Sequence, residues 1–523
     1  MNIVCIPLDI RPYNYDFLQS LASMNSQVHT FLPAKEILGF KKQAADHNAL
    51  NHFLEQHVCH ADALIISLDM YVYGGLFPAR VHKEDHEVLL SRLQTLRHIK
   101  NQQPAMKIYA SVLVLRTPKY NSSEEEPTWY ATWGEAIFCY GFLKNKLQRQ
   151  GLKADELAQL HHYQRQIPAD IMDDWLSRRE KNRHVIQAAI DLVADGILEQ
   201  LVIPLDDTAE FGFTAADLSL IYQWINDAGV QERVHVHPGT DESGCTLLTR
   251  AWLDNQGRPF TISTLCSNNH FADMIPNYED RPFIHSLRSH ASACGITLAS
   301  DNNKQYPLLA INGCGEVMQE SASASYGYDV HSGRKHPPYK NVTYHTQRNL
   351  TSFVVELNKR SCTVPVVVAD LAFSNGGETE LIRMLDLYGA FDHLCGYAGW
   401  NTTCNSLGTA LARLVFASNS DRPLAVTAFL QERIMSDWAW QTEVRFPIQC
   451  EFLPTLGATY SNFESVDEVV FAQIKTQLNA TWKAHINRAF GGIIPVITQI
   501  SAPFKRLSGL NIKIETVRTS ERK

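Results

Sequence analysis

The sequence predicts an α/β protein with largely parallel sheets and crossover helices. It is read as two lobes plus a helical C-terminal part, and a decorated (β/α)8 barrel is the alternative. Three observations carry this. Short Val/Ile/Leu runs alternate with longer segments of helical period, the pattern of parallel strands buried on both faces. Several of these runs end directly in an aspartate. The chain of 523 residues, 45% hydrophobic and 20% charged, is long enough for two or three cores.

The strands are expected at Asn2–Leu8, Gln27–Leu32, Ala63–Leu68, Lys107–Leu115, Leu201–Leu205, Arg233–His237, Phe260–Cys266, Leu308–Ile311, Val364–Ala369 and His393–Tyr397. Ten strands exceed a plain eight-stranded barrel. Between Trp129 and Leu198 apolar residues recur at spacings of three and four, which predicts an inserted helical pair. The turn "NQGRP" places a boundary after Arg258, so the lobes are residues 1–258 and 259–422, with 423–523 forming the helical part and a solvated tail. Ser321–Asn349, rich in Ser, Tyr, His and Gly, reads as a long loop.

A net charge of -8 and the lack of a long Lys/Arg block argue against nucleic acid as a partner. No apolar run approaches the roughly 18–20 residues of a membrane span. The start, "MNIVCIPLDIRP", enters a strand without a signal-peptide pattern, and the 11 cysteines form no CxxC pair, so a cytoplasmic protein with reduced thiols is expected. Self-association is left open.

The strand ends carry the chemistry. "IPLDIRP", "ISLDMYVYGG" and "IPLDDTAEFG" place Asp9, Asp69 and Asp206 directly after apolar runs, with Asp207 adjacent. In parallel α/β folds ligands sit at the carboxyl ends of strands, so these acids predict one acidic pocket. Each could instead cap a helix, but only one of two adjacent acids can do so. "HPGTDESG" adds His237, Asp241 and Glu242, and "DLAFSNGGETE" adds Asp370, Asn375 and Glu378. In "GYAGWNTTCNSLG", Trp400, Asn401 and Asn405 form a candidate sugar platform, an indole face beside amides that read hydroxyls. A buried Trp beside a capping Asn is the bland alternative. Tyr73 is a further candidate substrate contact. Arg11, Arg80 and Arg116 follow the acids and would hold some ionised while others stay protonated, the asymmetry that acid/base work needs; structural ion pairs would look the same.

Three functions follow. A glycoside hydrolase acting on a small sugar or glycoside, an N-acetylhexosaminide included, would use Asp206 and Asp207, with Asp241 or Glu242 as the alternate acid and no cofactor. A metal-dependent hydrolase, isomerase or lyase would use His235 and His237, on one side of a strand, with Asp206 and Asp241 around zinc or manganese. A non-catalytic sugar-binding protein is the third, though binding alone does not require several neighbouring acids. No GxGxxG follows the first strand, and no GxxxxGK[ST] or GxSxG is present.

Taken together, "PLDIRPYN", "LDMYVYGGLFPAR", "RTPKY…EEEP", "DDWLSRREKN", "IPLDDTAEFGF", "HPGTDE" and "GYAGWNTTCNSLG" resemble the bacterial family known as domain of unknown function 4127, over roughly Met1 to Arg445. The resemblance implies a bacterial cytoplasmic protein defined by these polar loops, and no particular chemistry.

Overall fold

The computed structural model describes residues 1–300, 304–321, 345–488 and 490–518. The chain divides into two compact units. The first comprises Met1–Ile10, His29–Ala251 and Tyr278–Arg281, and the second Arg11–Val28, Trp252–Asn277 and Pro282–Lys523.

The first unit is built on a six-stranded sheet of order β2-β1-β3-β4-β5-β6. Its strands are β1 (Asn2–Ile6), β2 (His29–Phe31), β3 (Ala63–Ser67), β4 (Lys107–Ser111), β5 (Gln200–Leu205) and β6 (Val234–Pro238). Every pairing is parallel, with Ile3 opposite Ala63, Ala63 opposite Lys107, Tyr109 opposite Gln200 and Leu201 opposite Val234. Their carboxyl ends therefore emerge along one edge. "ALIIS" and "QLVIPL" are buried at every position, which is why these strands read as continuous apolar runs. Helices His86–Gln102 and Phe213–Ala228 connect neighbouring strands, and His47–His57 crosses from β2 over β1 to β3. The insertion between β4 and β5 is three helices, Tyr130–Gln150, Ala154–Gln166 and Ala169–Ala194, rather than the expected pair. The extra break falls at "QGLKA", where Gly151 takes φ 85° and ends the first helix.

The second unit carries a five-stranded sheet of order β13-β11-β9-β7-β8, again all parallel. These strands are β7 (Phe260–Cys266), β8 (Ile296–Leu298), β9 (Leu308–Gly313), β11 (Val366–Leu371) and β13 (Gly396–Ala398). A small parallel pair, β10 (Gln319–Glu320) and β12 (Phe373–Ser374), stands beside them in the sequence. The units thus share one winding: the first strand is followed by a neighbour on one side, and the later strands extend the sheet on the other. Such reversals of strand order open crevices at the carboxyl edge. No closure of either sheet into a barrel is detected among the described residues.

The helical C-terminal part includes Pro423–Arg433, an unusual π-helical stretch Ile434–Val444, and Asp467–His485. An antiparallel hairpin not foreseen in the sequence follows, β14 (Ile493–Ser501) with β15 (Asn511–Arg518). Alternation in "IIPVITQIS" is weak, and the strand is only half-buried, so its period was illegible. All ten expected strands have counterparts. Most of the expected loop Ser321–Asn349, residues 322–344, and all but the first residue of the expected tail lie outside the described residues. No helix among the described residues is long and apolar enough to cross a membrane.

Candidate active site at the strand ends of the first unit

The site forms after β3, β4 and β5. Beyond β3 the chain winds through a π-helical turn, Asp69–Tyr73, that ends on Gly74 at φ 90°; a Cβ there would press on Ala44. This turn buries Asp69 and leads to the short helix Pro78–Val81, which presents Arg80. Beyond β4 the backbone stays extended: Val112 and Val114 donate to the carbonyls of Val202 and Pro204, both at 3.1 Å. The segment therefore runs alongside β5, and Arg116 arrives beside Asp206 and Asp207. It is fixed from below by Arg179, which donates to the Leu115 carbonyl at 2.7 Å and pairs with Asp217.

Adjacent residues on an extended strand point to opposite faces. Here the strand has ended, and Asp207 takes φ 42°, the left-handed region in which Asp is better tolerated than most residues. Both carboxylates then face Arg116, and Asp206 also meets Arg80. Arg80 bonds Asp206 at 2.5 Å and Glu125 at 2.6 Å; Arg116 bonds Asp207 at 2.8 Å, Glu126 at 2.8 Å and Glu125 at 2.7 Å, with Asp206 at 4.0 Å. Thr208 anchors the turn, its N–H donating to the Tyr278 carbonyl at 3.2 Å.

The acids differ in what can reach them. Glu126 is 1% exposed, Asp206 14% and Asp207 30%. Burial, and then the charge of Asp206, push the Asp207 carboxyl up to about 6, against the pull of Arg116 and Arg80. Burial pushes Asp69 up to about 7, opposed by the Leu113 N–H that it accepts at 3.0 Å. The cluster thus sets a reachable carboxyl, pushed up to about 6 although it pairs with Arg116, beside a less exposed one paired with Arg80. That division suits proton transfer to a polar bond. Asp69, Arg80, Arg116 and Asp206 line a single cavity with Asn182.

Other expected residues lie elsewhere. Glu242 is fully buried and accepts the Thr240 N–H at 2.8 Å; Asp241 is 2% exposed, and neither pairs with Arg80 or Arg116. The two candidate alternate acids are thus buried after β6, apart from the arginine cluster. His237 is fully buried, its Nδ1 3.0 Å from the Pro238 carbonyl, and burial lowers it to about 3; His235 is lowered to about 4 for the same reason. Asp206 bonds the arginines, so His235, His237, Asp206 and Asp241 do not form one ligand group; His237 lies instead with Glu242 and His290, their ligand atoms within 4.8 Å of one another, a group that could hold a metal ion. Asp9, 1% exposed, belongs to the first unit, while Arg11 belongs to the second, where it lies 5.8 Å from the ring centres of Tyr13 and Phe504. Tyr73 is buried, its ring 4.9 Å from that of His82.

In the second unit the equivalent strand ends hold a closed network. Asp370, at the end of β11, accepts from Asn312 at 2.8 Å, the Tyr397 hydroxyl at 2.7 Å and the Glu378 N–H at 2.7 Å. Glu378 in turn pairs with Arg348. Only glycine fits at 377, where a Cβ would overlap the Tyr397 hydroxyl. Every group here is at most 8% exposed, so the network reads as structural support for its loops. Asn375, at φ 59°, donates its N–H to the Asn401 carbonyl at 2.8 Å. Trp400 is 2% exposed and stacked on Tyr13 at 3.7 Å, so the indole face that a sugar would need is covered by the protein. The helix beginning at Thr403 is capped by Thr402, not Asn401, and Asn405 bonds that same hydroxyl. The platform is thereby corrected to a packed turn.

Sequence reasoning missed Glu125 and Glu126. The signal was present in "RTPKYNSSEEEP", an acid run eight to ten residues beyond Arg116, but acid runs are usually solvated. No curated protein and no solved structure gives a match to this chain. A family model described as "Protein of unknown function (DUF4127)" matches residues 3–507, and the chain belongs to that family.

Proposed function

We propose that this protein is a hydrolase of glycosidic bonds, with Asp207 as proton donor and Asp206 as the anion facing the sugar. The observation that supports the reading is the turn at Asp207, which sets two adjacent carboxyls against Arg116 while leaving one of them reachable. In the reaction Asp207 gives its proton to the glycosidic oxygen as the bond to the anomeric carbon breaks. Asp206, held by Arg80, stabilises the positive charge that develops on the ring. Water then adds to the anomeric carbon and returns a proton to Asp207, so one water is consumed and the enzyme is restored. The substrate is a small sugar derivative. All eleven cysteines carry the reduced thiol rather than a disulfide, which suits the cytoplasm as its location.

The test is hydrolysis of a panel of aryl glycosides, N-acetylhexosaminides included, by the purified chain with and without EDTA. Turnover that survives chelator and falls as pH rises through about 6, where Asp207 loses its proton, is expected. Turnover abolished by EDTA and restored by a divalent metal would move the chemistry away from this pair. Binding without turnover would make the protein a sugar receptor.

A further inference from the structure

The cavity that Asp206 shares with Asp69 has a volume of about 10 Å³, room for one water molecule. Five polar side chains line it, those of Asp69, Arg80, Arg116, Asn182 and Asp206, and Ala79 lies in its apolar wall. Small cavities that stay dry are walled by apolar groups, whereas a polar one that offers a water several partners holds it in place. Of the five, three have no proton to trade. A guanidinium keeps its proton at any ordinary pH, and a side-chain amide does not titrate. Asp69 and Asp206 remain. Since the cavity admits a single water, that molecule stands against both carboxyls at once.

We infer that one water occupies this cavity and bridges Asp69 to Asp206, so that Asp69 serves as a proton store for the carboxyl pair. In the transfer the Asp69 carboxyl gives its proton to the water oxygen while the water gives one of its own to the Asp206 carboxylate. Water is neither consumed nor formed, and one negative charge moves from Asp206 to Asp69. The surroundings support a charge at either place. Arg80, from the helix Pro78–Val81, pairs with Asp206 at 2.5 Å as it does with Glu125 and Glu126, and its charge also reaches Asp69. Asp69 accepts the Leu113 N–H at 3.0 Å, and Arg116 stands 4.0 Å from Asp206 and pairs with Asp207. Tyr73, on the same turn as Asp69, is kept neutral by burial and by the charge of that carboxylate. Asn182 bonds His82 at 2.8 Å, a ring that burial lowers to about 4 and so leaves neutral. Burial pushes Asp69 up to about 7, so the store empties across neutral pH. The charge of Asp206 helps to raise Asp207, so a proton arriving on Asp206 also loosens the one on Asp207. A store of this kind serves any reaction in which the pair gives or takes a proton, and so does not depend on the bond being glycosidic.

The experiment is a crystal structure of the full chain at atomic resolution together with an infrared titration of protonated carboxyl groups, on wild type, Asp69→Asn and Ala79→Val. One water peak is expected in the wild type, about 2.5–3.0 Å from a carboxyl oxygen of Asp69 and from one of Asp206. The wild type should lose a protonated carboxyl as pH rises through about 7, a step that Asp69→Asn lacks. Ala79→Val adds two methyl groups at the cavity wall, in the place of the water. The peak should then vanish and the step move up by about one pH unit, because the Asp69 carboxylate loses the solvent that stabilises its charge. A wild-type map without that peak overturns the inference, as does a step that stays at the same pH in Ala79→Val. Should Ala79→Val fail to fold, the wild-type map and the Asp69→Asn titration decide: a step that persists in Asp69→Asn means that Asp69 stores no proton.

Discussion

Arg116 bonds the reachable Asp207 at 2.8 Å and the sealed Glu126 at 2.8 Å, so a single cation couples the carboxyl facing the cleft to one that water does not reach. Removing it would take from Glu126 and Glu125 a guanidinium that they share with Asp207, while their pairs with Arg80 stay. Arg116→Met is expected to lower unfolding free energy by about 3–5 kcal/mol, the loss typical of a broken buried pair. Arg116→Lys should recover only part, because one ammonium cannot reproduce a planar fork that serves three carboxylates. Urea unfolding of both variants checks this. A midpoint equal to wild type in Arg116→Met would mean that the network is not what holds these loops.

Asp69 gives a prediction that depends on pH. Its carboxyl is pushed up to about 7 in the fold, above the 3.8 of a free side chain, so the folded chain binds a proton that the unfolded chain releases. The stability from that proton is complete below about pH 4 and is lost as pH rises through about 7. Asp69→Asn should therefore be more stable than wild type at pH 8, by on the order of 1–2 kcal/mol, with the difference shrinking toward pH 5. Unfolding curves at the two pH values decide. A variant that is no more stable at pH 8 would show that Asp69 is not a protonated group in the fold.

Arg179 supports the site without reaching it. It is 1% exposed, donates to the Leu115 carbonyl and pairs with Asp217, which Arg183 also holds at 2.8 Å. Arg179→Met should cost about 3 kcal/mol or more. The double variant with Asp217→Asn should be less destabilised than the sum of the single losses, a coupling measured by a double-mutant cycle. Additive losses would mean that the two side chains act independently.

Much of the fold was legible because parallel strands buried on both faces announce themselves. "ALIIS" and "VVVADL", buried at every position, need only their apolar runs and flanking breaks to be placed. The hairpin near the C-terminus was not, since half-buried strands lack that signature. Within the site, Asp206 and Asp207 could be named because they follow a strand directly, and Arg80 and Arg116 because they come soon after strand ends in the sequence. Glu125 and Glu126 reach the same place from a loop whose path is set by tertiary packing, and a spacing rule cannot see that. Trp400 was misread for a related reason: whether an indole faces solvent depends on what covers it, and its cover, Tyr13, is almost four hundred residues away in sequence.

The central claim, that Asp207 donates a proton to the leaving oxygen, is tested most directly by comparing two leaving groups. Asp207→Asn keeps the amide oxygen and tolerates the left-handed backbone at this position, so the fold should persist. The measurement is kcat/KM of wild type and variant on a methyl glycoside, whose leaving group needs a proton, and on a dinitrophenyl glycoside, whose leaving group does not. The account predicts a loss of about 10²–10⁴-fold on the methyl glycoside and a far smaller one on the dinitrophenyl compound. Full activity of the variant on both, or an equal loss on both, would contradict it.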